Sequence, residues 1–385
     1  MRLLFVSNLF PDSSEPIRGL DNACLLSYLR GHFDEIRAVG VRPVLGGART
    51  FSARAEDEFL SPVYCTTRYI PKIGSRWNHR LMARALGKTL ARVRTEFPFD
   101  RVLGSWLYPD GCALRKLSGS MGFPLWLISQ GSDAHAYLEM PTRRRLIVDA
   151  ACRSRGVITR SADLARRLRE AGVPDEKLHP IYNGVDTQMF RPGGDDLELR
   201  ASLGLDPGRE YLLFVGNFLP VKNPSMLLEA WRIAAGQLAD RPVDLVMIGA
   251  GPLEGEIRRQ ADEAGLGDRL TIPGRLPPAK VADYMRVARC LVLSSHNEGV
   301  PNVILEAFAS GLPVISTDVG GIGEVLDAPF LGSLVPPGDP QAFAKAIAET
   351  LCTEEDPRQR IADRAQRYAW HRTAEQYRDL LCADL

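Results

Sequence analysis

The chain has 385 residues, of which 45% are hydrophobic and 25% are charged, and its formal net charge is +1. These proportions are ordinary for a soluble globular protein, so they exclude a disordered chain, a collagen-like chain and a small disulfide scaffold. At roughly 100–200 residues per domain, the length predicts two domains. No stretch approaches the ~18–20 consecutive apolar residues of a membrane span, and the seven cysteines are scattered singly, so we expect a cytoplasmic protein.

Short apolar segments rich in Val, Ile, Leu and Phe alternate with helical patterns along the whole chain. Because these segments are continuously apolar, they are predicted to be buried on both faces, as in parallel sheets. We therefore predict an α/β chain of two doubly wound, Rossmann-like domains facing across a cleft, with a turn-rich hinge at 191–196. The predicted strands are Leu3–Ser7, Ile36–Val41, Arg101–Gly104, Leu125–Ser129, Gly156–Thr159, His179–Tyr182, Tyr211–Val215, Asp244–Ile248, Leu270–Ile272, Cys290–Leu293, Pro313–Ser316 and Ser333–Val335.

The charges are distributed unevenly between the two halves. Residues 1–190 contain 28 Lys and Arg against 19 Asp and Glu, a balance of +9, whereas residues 191–385 contain 20 against 28, a balance of −8. Opposite charge in the two halves indicates separate domains with different partners.

A basic amphipathic helix is predicted at residues 76–94. No acidic residue lies between Glu58 and Glu96, and Arg or Lys recurs every four residues opposite an apolar face. Two interpretations stay open: an ordinary solvent-exposed face, or docking on anionic lipid at the inner face of the plasma membrane, where each cation contributes about 1 kcal/mol. Nucleic acid is not an expected partner, because no aromatic-interleaved basic motif or zinc-ligand spacing accompanies the charge.

The most informative segment is Ser294–Glu306, where a loop follows a buried strand and a helix is predicted to begin near Pro301. The amides around Gly299–Val303 and the positive end of the helix dipole form an anion site that suits phosphate. A phosphate would repel Glu298, so we predict that this carboxylate accepts hydrogen bonds from neutral hydroxyls, as sugars offer. The alternative is that Glu298 stabilises the start of the helix and that Glu306 is a solvated helix residue.

Three further loops contain candidate binding residues. Lys222 follows another buried strand, where its ammonium group can bind a diphosphate. The alternative is a solvent-exposed loop lysine without a ligand. Gln130 and Asp133 follow the predicted strand Leu125–Ser129 at the carboxyl edge of the first sheet. Gly19 precedes a helical pattern, where glycine lets the backbone approach a ligand closely. For Gln130, Asp133 and Gly19, the alternative is an ordinary turn without a binding role.

Other nucleotide and nucleophile motifs are incomplete or absent. The glycine-rich segment Gly249–Gly255 has Glu254 where the dinucleotide fingerprint requires its third glycine, so nicotinamide chemistry is not predicted. The sequence contains neither Gly-x-x-x-x-Gly-Lys-Ser/Thr nor Gly-x-Ser-x-Gly. A Walker-type ATPase and a serine hydrolase of the nucleophile-elbow type are therefore not expected.

Together these segments resemble the retaining family-4 glycosyltransferases of the GT-B fold. The resemblance is strong over residues 183–340 and diffuse over the first 180. Glu298 and Glu306 are spaced like the E-x7-E signature of that family. The other similar segments are Val215–Asn217 with Lys222, Ile248–Pro252, Ala307–Gly321 and the linker Asn183–Asp186.

The resemblance implies transfer of a hexosyl group, with retained configuration, from a nucleotide diphosphate sugar to a glycan or lipid-linked acceptor in cell-surface polysaccharide or glycolipid synthesis. UDP-sugars are the donors expected first. It implies an acceptor-binding domain at 1–190, a donor-binding domain at 191–360 and a helix at 361–385 that crosses back to the first domain. The catalytic residues would be Glu298, which holds sugar hydroxyls, and Lys222, which neutralises the diphosphate, with no cofactor and no obligatory metal. The implied donor-binding residues are Gly19, Gly216, Asn217, Arg275, Gly299, Val300, Pro301, Asn302 and Glu306, and the implied acceptor-side residues are Gln130 and Asp133.

Two positions depart from the family pattern. Asn217 stands where the family usually has Arg, so another cation such as Arg275 or Arg18 would have to reach the diphosphate. Gln130 stands where the family often has His, so this side chain cannot titrate. Two other functions stay open: a glycoside hydrolase that uses the two glutamates as its carboxylate pair, and a sugar-nucleotide-binding protein without turnover.

Overall fold

The computed structural model describes five segments of the chain, residues 1–44, 50–193, 197–238, 241–353 and 356–383. The chain forms two compact units. The first unit contains Met1–Asn183 and the residues from Trp370 onward, and the second contains Gly184–Ala369. The predicted domain divisions at 190 and 360, the roles of the domains and the cleft stay predictions. Of the predicted hinge, residues 194–196 lie outside the described residues.

Each unit is built on one parallel sheet. The strands of the described residues are β1 (Arg2–Ser7), β2 (Glu35–Val44), β3 (Val63–Arg68), β4 (Arg101–Ser105), β5 (Leu125–Ser129), β6 (Gly156–Thr159), β7 (Leu178–Pro180), β8 (Glu210–Val215), β9 (Val243–Ile248), β10 (Leu270–Gly274), β11 (Cys290–Leu293), β12 (Val314–Thr317) and β13 (Gly332–Val335). The first sheet has the order β3-β2-β1-β4-β5-β6-β7, and the second has the order β10-β9-β8-β11-β12-β13. Strand order therefore reverses between β1 and β4 and again between β8 and β11, as in doubly wound domains.

The helices lie between the strands along the chain. They are α1 (Leu20–Leu29), α2 (Asn78–Glu96), α3 (Cys112–Met121), α4 (Ser132–His135), α5 (Pro141–Arg153), α6 (Ala162–Ala171), α7 (Leu197–Ser202), α8 (Pro224–Gln237), α9 (Glu254–Glu263), α10 (Pro278–Val287), α11 (Asn302–Ala309), α12 (Ile322–Val325), α13 (Pro340–Cys352), α14 (Arg358–Ala365) and α15 (Trp370–Cys382). This alternation confirms the predicted α/β class with two Rossmann-like sheets.

The first sheet is buried on both faces. Leu4 and Val6 of β1 belong to a core that also contains apolar residues of α2, α3, α5 and α6. Leu3 and Phe5 point to the other face, into a core shared with α1 and α15. All four side chains are fully buried, which explains why β1 is continuously apolar.

The edge strand β3 was not predicted from the sequence. It pairs in parallel with β2, from Val39 opposite Val63 to Val44 opposite Arg68. Its residues alternate between buried and exposed in the second half of the strand, with Cys65 buried and Thr66 exposed. The continuous apolar pattern that predicted the other strands is absent here, because Thr66 and Arg68 are polar and exposed.

The basic helix is present as α2. Met82, Leu86 and Leu90 are buried in the core, whereas Arg80 and Arg84 are exposed, as the predicted amphipathic pattern requires. In the part of the chain that the structure describes, no helix combines the length and the apolar character needed to cross a membrane.

Candidate functional site

The two candidate catalytic residues of the second unit lie on loops that follow β8 and β11. These two strands are paired in parallel, and the order of the sheet reverses between them. Lys222 lies in the loop after β8, and Glu298 lies in the loop after β11. Doubly wound sheets bind ligands at the carboxyl ends of strands where the order reverses, so both loops stand at the expected place.

Lys222 and Glu298 form an ion pair between Lys222 Nζ and Glu298 Oε1. Ser295 Oγ donates a hydrogen bond to the same carboxylate oxygen at 2.7 Å. The two charged side chains are 21% and 12% exposed, so the pair is partly open to solvent. Among the residues described, no group of three or more His, Cys, Asp or Glu side chains is placed to hold a metal ion.

The two loops are tied to each other by their backbones. His296 N donates to Val221 O at 2.8 Å, and Ser294 Oγ donates to Lys222 O at 2.8 Å and to Asn223 O at 2.9 Å. Asn223 has a φ of +47°, a left-handed conformation that asparagine tolerates and that turns the chain into α8. The ion pair is therefore held by a fixed loop geometry.

A third loop, which follows β12, supports the loop of Glu298. Gly320 has a φ of +58°, and a Cβ atom there would lie 1.7 Å from Glu298 O. Gly321 N donates to Gly299 O at 3.1 Å. Glycine at position 320 is thus required both by the backbone conformation and by the close approach of the two loops.

The loop of Glu298 leads directly into α11. The predicted helix start is confirmed, since Pro301 precedes the first helical residue, Asn302, and Ile304 N donates to Pro301 O at 3.0 Å. A side chain at Gly299 would meet no atom within 4 Å, so open space lies beside this residue. Glu306 lies in the same helix and is half-buried. Because the first amides of a helix have no intrahelical partner, the start of α11 suits an anion.

Gly216 follows the last residue of β8, and its N–H donates to Ile248 O at 3.0 Å. A Cβ atom at Gly249 would lie 1.9 Å from Gly216 O. The glycine-rich segment after β9 therefore packs its backbone against the loop of Lys222. This close packing explains why glycine occupies position 249 without a dinucleotide-binding role.

A second cation lies beside Asn217. Arg275 follows β10, is exposed, and places Nη2 3.4 Å from Asn217 Oδ1. Arg18 lies in the first unit, where it donates to Asn8 O and pairs with Glu15, both at 2.9 Å. Arg275, one of the two arginines named from the sequence, therefore contacts Asn217.

In the first unit, Asp133 is fully buried and its carboxylate is used inside the protein. It accepts hydrogen bonds from Leu107 N at 3.0 Å, Gly131 N at 2.8 Å, Gln130 N at 3.0 Å and Ser129 Oγ at 3.2 Å. Burial raises the pKa of Asp133, and these donors act in the opposite direction. The geometry therefore makes Asp133 a residue that positions the loops after β4 and β5.

Gln130 is half-buried and bridges two elements of the first unit. Its Nε2 donates to Asn22 Oδ1 at 2.8 Å and to Ser105 Oγ at 2.5 Å. Gly19 has a φ of +65°, and a Cβ atom there would lie 2.2 Å from Leu9 O. The close approach expected at Gly19 thus exists between two parts of the first unit, and its contact with a donor stays a prediction.

Sequence reasoning missed a buried polar cluster after β1. Asn8 donates from N and from Nδ2 to the two oxygens of Asp110, both at 2.6 Å, and burial raises the pKa of Asp110 to about 7. Arg42 Nε donates to Asp12 at 2.7 Å. Desolvation opposes ionisation of Asp12, but hydrogen bonds from Ser14 and Arg42 outweigh it and lower the pKa to about 2. The polar residues that end the apolar run of β1 are the signal that could have identified this cluster.

Comparison with solved structures defines the class of fold. The chain superposes on Anabaena HepE in complex with UDP with a TM-score of 0.78 at 21% identity, covering 100% of both chains. It superposes on sucrose-phosphate synthase from Thermosynechococcus elongatus with a TM-score of 0.81 at 21% identity, again covering 100% of both. The chain therefore has the GT-B fold, with two Rossmann-like domains.

Sequence comparisons define the family. The Glycosyltransferase Family 4 model matches residues 34–189, and the Glycosyl transferases group 1 model matches residues 195–368. D-inositol 3-phosphate glycosyltransferase of Jonesia denitrificans is 33% identical over 52% of this chain and 50% of that protein, so the chain spans about half the length of this relative. The putative teichuronic acid biosynthesis glycosyltransferase TuaC of Bacillus subtilis is 26% identical over 90% of this chain and 88% of that protein. The chain belongs to the family-4 glycosyltransferases.

Proposed function

We propose that the chain is a retaining glycosyltransferase. It moves a hexosyl group from a UDP-sugar to a glycan or lipid-linked acceptor in cell-surface polysaccharide or glycolipid synthesis. The observation that carries the proposal is the partly exposed pair of Lys222 and Glu298 at the strand reversal of the second sheet. The similar protein HepE has been solved with UDP and with UDP-glucose, and TuaC bears the name of a polysaccharide-synthesis enzyme, which supports this choice of substrates.

The diphosphate of the donor binds Lys222. A diphosphate carries more negative charge than one carboxylate, so it replaces Glu298 as the partner of the ammonium group. Arg275, beside Asn217, supplies a second cation, and the first amides of α11 supply aimed hydrogen-bond donors. These fixed groups stabilise the leaving diphosphate as the bond to the sugar breaks, without an obligatory metal or cofactor.

Glu298 positions the sugar. Once Lys222 pairs with the diphosphate, Glu298 keeps its hydrogen bond from Ser295 and has acceptor capacity for sugar hydroxyls. Glu306, four residues into α11 from its first residue, is assigned to the ribose hydroxyls by the family resemblance. Gly299 leaves open space where a bulky side chain would restrict the donor.

Retention follows if departure and attack occur on the same face of the sugar. The bond from the anomeric carbon to the phosphate oxygen breaks, and a bond from that carbon to the acceptor oxygen forms. The acceptor's proton passes to the leaving phosphate, so no protein side chain has to act as a strong base. Gln130 belongs to the acceptor side as a hydrogen-bonding group, and Asp133 acts through the loops that it holds.

A basic and apolar surface supports a membrane-associated acceptor. The cations at every fourth position are exposed, namely Arg76, Arg80, Arg84, Lys88 and Arg92. Large apolar side chains are exposed just before the helix, with Ile73 74%, Trp77 46% and Ile70 39% exposed. Exposed apolar residues beside a cationic helix suit an anionic membrane surface. We expect Arg80→Glu with Arg84→Glu to lower binding to anionic vesicles at least tenfold, and unchanged binding would contradict the membrane proposal.

The activity is tested with a panel of UDP-, GDP- and ADP-sugars and of glycoside acceptors. We expect release of UDP, a new product that contains both sugars, and an anomeric proton signal of the same configuration as in the donor. Cleavage of a glycoside without nucleotide would instead support a hydrolase, and binding of UDP-sugar without release of UDP would support a protein without turnover. Inverted configuration in the product would contradict the retaining mechanism.

A further inference from the structure

Trp106 has a backbone conformation that tryptophan rarely adopts. Its φ is +85° and its ψ is +116°, directly after β4. Among the described residues, Ser61 and Asn223 are the other non-glycine residues with positive φ, and both lie in the left-handed helical region that small polar residues tolerate. Trp106 lies outside that region, at a positive φ where a residue without a Cβ atom is less strained than tryptophan. Contacts with the surrounding structure therefore have to hold this conformation.

The surroundings of Trp106 fix this conformation. Trp106 N donates to Ile128 O at 3.0 Å, and Gly111 N donates to Trp106 O at 3.0 Å. The next amide, Leu107 N, donates to the buried carboxylate of Asp133 at 3.0 Å. The direction of the indole is consequently set by groups on both sides of the residue.

The indole is part of an aromatic cluster that is not fully buried. Trp106 and Tyr137 are half-buried and meet edge to face, with ring centres 6.2 Å apart and planes at 86°. Tyr137 meets the buried Tyr108 in the same way at 6.1 Å. The guanidinium of Arg143 stacks over Tyr137 at 4.2 Å from the ring centre. The cluster is therefore a supported apolar surface with one side available to solvent.

A polar side chain is hydrogen-bonded to the residue that precedes Trp106. Ser105, the residue before Trp106, accepts a hydrogen bond from Gln130 Nε2 at 2.5 Å. In the described part of the chain, no group donates to Gln130 Oε1, and the side chain is half-buried. Trp106 follows β4, one of the two strands between which the first sheet reverses its order. That is the ligand-binding edge of a doubly wound domain.

We propose that Trp106 is a platform on which a pyranose ring of the acceptor stacks, with Gln130 Oε1 accepting a hydrogen bond from a hydroxyl of that ring. A pyranose has an apolar face of C–H groups and a rim of hydroxyls, which fit an aromatic surface beside an amide acceptor. This proposal rests on the proposed function, because it assigns the acceptor subsite of the same enzyme. It also gives a reason why tryptophan stands at a positive φ where glycine would be less strained.

The test uses saturation-transfer NMR with methyl glycosides of glucose, galactose and N-acetylglucosamine as probes, and with UDP as a separate probe. In the wild type, we expect transfer to the ring C–H protons of at least one methyl glycoside. We expect Trp106→Ala to lower that signal at least fivefold and Trp106→Phe to retain half or more of it. Tyr28→Ala, which removes another partly exposed aromatic side chain of the first unit, is the matched control and should leave the signal unchanged.

The proposal is overturned if no methyl glycoside gives a signal with the wild type, or if Trp106→Ala gives the wild-type signal. Trp106→Gly removes the indole and the Cβ atom and so adds no backbone strain, and loss of the signal in a folded Trp106→Gly protein separates loss of the platform from misfolding. UDP binding should be the same in all four variants. Absence of UDP binding in the wild type would count against the proposed function while leaving the glycoside result to decide the platform.

Discussion

The carboxyl edges of the two sheets share a topology but use their charged groups differently. At the edge of the second sheet, Lys222 and Glu298 pair with each other and stay partly open to solvent. At the edge of the first sheet, Asp110 and Asp133 are fully buried, and backbone or amide donors occupy their oxygens. The charged side chains of the second unit can thus reach a ligand, whereas the carboxylates of the first unit are already hydrogen-bonded within the protein.

This difference indicates which ligand each edge suits. Lys222, which is partly exposed beside the start of a helix, suits an anion such as a diphosphate. An aromatic surface and an amide, held in place by buried carboxylates, suit a neutral molecule rich in hydroxyls. The same strand order therefore suits an anion in one unit and a neutral, hydroxyl-rich molecule in the other.

The largest effect is expected for Glu298→Gln. The substitution keeps the size of the side chain but removes the charge that pairs with Lys222 and orients the sugar, so we expect kcat to fall about 10²–10³-fold. The affinity for UDP should not fall, because the diphosphate displaces Glu298 from Lys222 and the substitution removes that competing charge. Steady-state kinetics and calorimetry measure the two quantities. Glu263→Gln, at an exposed position of α9, is the control, and a near wild-type kcat in Glu298→Gln would contradict the assignment.

Gly320→Ala should disrupt the loop that supports Glu298. The added Cβ would lie 1.7 Å from Glu298 O at a φ of +58°, so we expect a loss of roughly 2–4 kcal/mol in the free energy of unfolding. Gly323→Ala is the matched control, because a Cβ there meets its nearest atom at 3.5 Å and the backbone is not left-handed. Denaturant unfolding measures both variants. Equal stability of the two would show that the loops do not approach as described.

The buried Asp110 predicts a pH dependence in the first unit. Burial raises its pKa to about 7 from an ordinary value of 3.8, so between these pH values the folded state binds the proton more readily than the unfolded state. Stability therefore decreases as the pH rises through this range, by about 1.4 kcal/mol per unit at most and roughly 2 kcal/mol from pH 5 to pH 7. The measurement is the difference in unfolding free energy between the wild type and Asp110→Asn as a function of pH. Parallel curves for the two proteins would contradict the raised pKa.

The smallest effect concerns the strained backbone of Trp106. We expect Trp106→Gly to be more stable than Trp106→Ala by about 1 kcal/mol, because alanine keeps a Cβ atom that is strained at a φ of +85° and glycine has none. At Lys116 in α3 the order should be reversed, with the alanine variant more stable than the glycine variant by about 1 kcal/mol. Thermal unfolding of the four variants provides the comparison. A Trp106→Ala protein as stable as Trp106→Gly would show that the conformation is not strained.

The sequence predicted the sheets well because most strands are buried on both faces and are therefore continuously apolar. It missed β3, since an edge strand alternates between buried and exposed residues and carries Thr66 and Arg68 on its open side. It placed Lys222 and Glu298 after buried strands at the same edge of a sheet, and the structure brings these residues together.

Contacts between distant parts of the chain were beyond sequence reasoning. The ion pair itself joins residues 76 positions apart, and Asn8 reaches Asp110 across 102 positions. The positive φ of Trp106 has no local signature, because tryptophan does not normally occupy such a position. Asp133 resembled a ligand-facing acid because loop position does not reveal which way a carboxylate is turned.

We expect the diphosphate of a nucleotide to bind Lys222 at the start of α11. A crystal structure of the chain with UDP would show where the phosphates lie. We predict that a phosphate oxygen lies within hydrogen-bond distance of Lys222 Nζ and that Glu298 no longer pairs with this nitrogen. UDP bound away from the loops after β8 and β11, with the pair of Lys222 and Glu298 intact, would contradict the account.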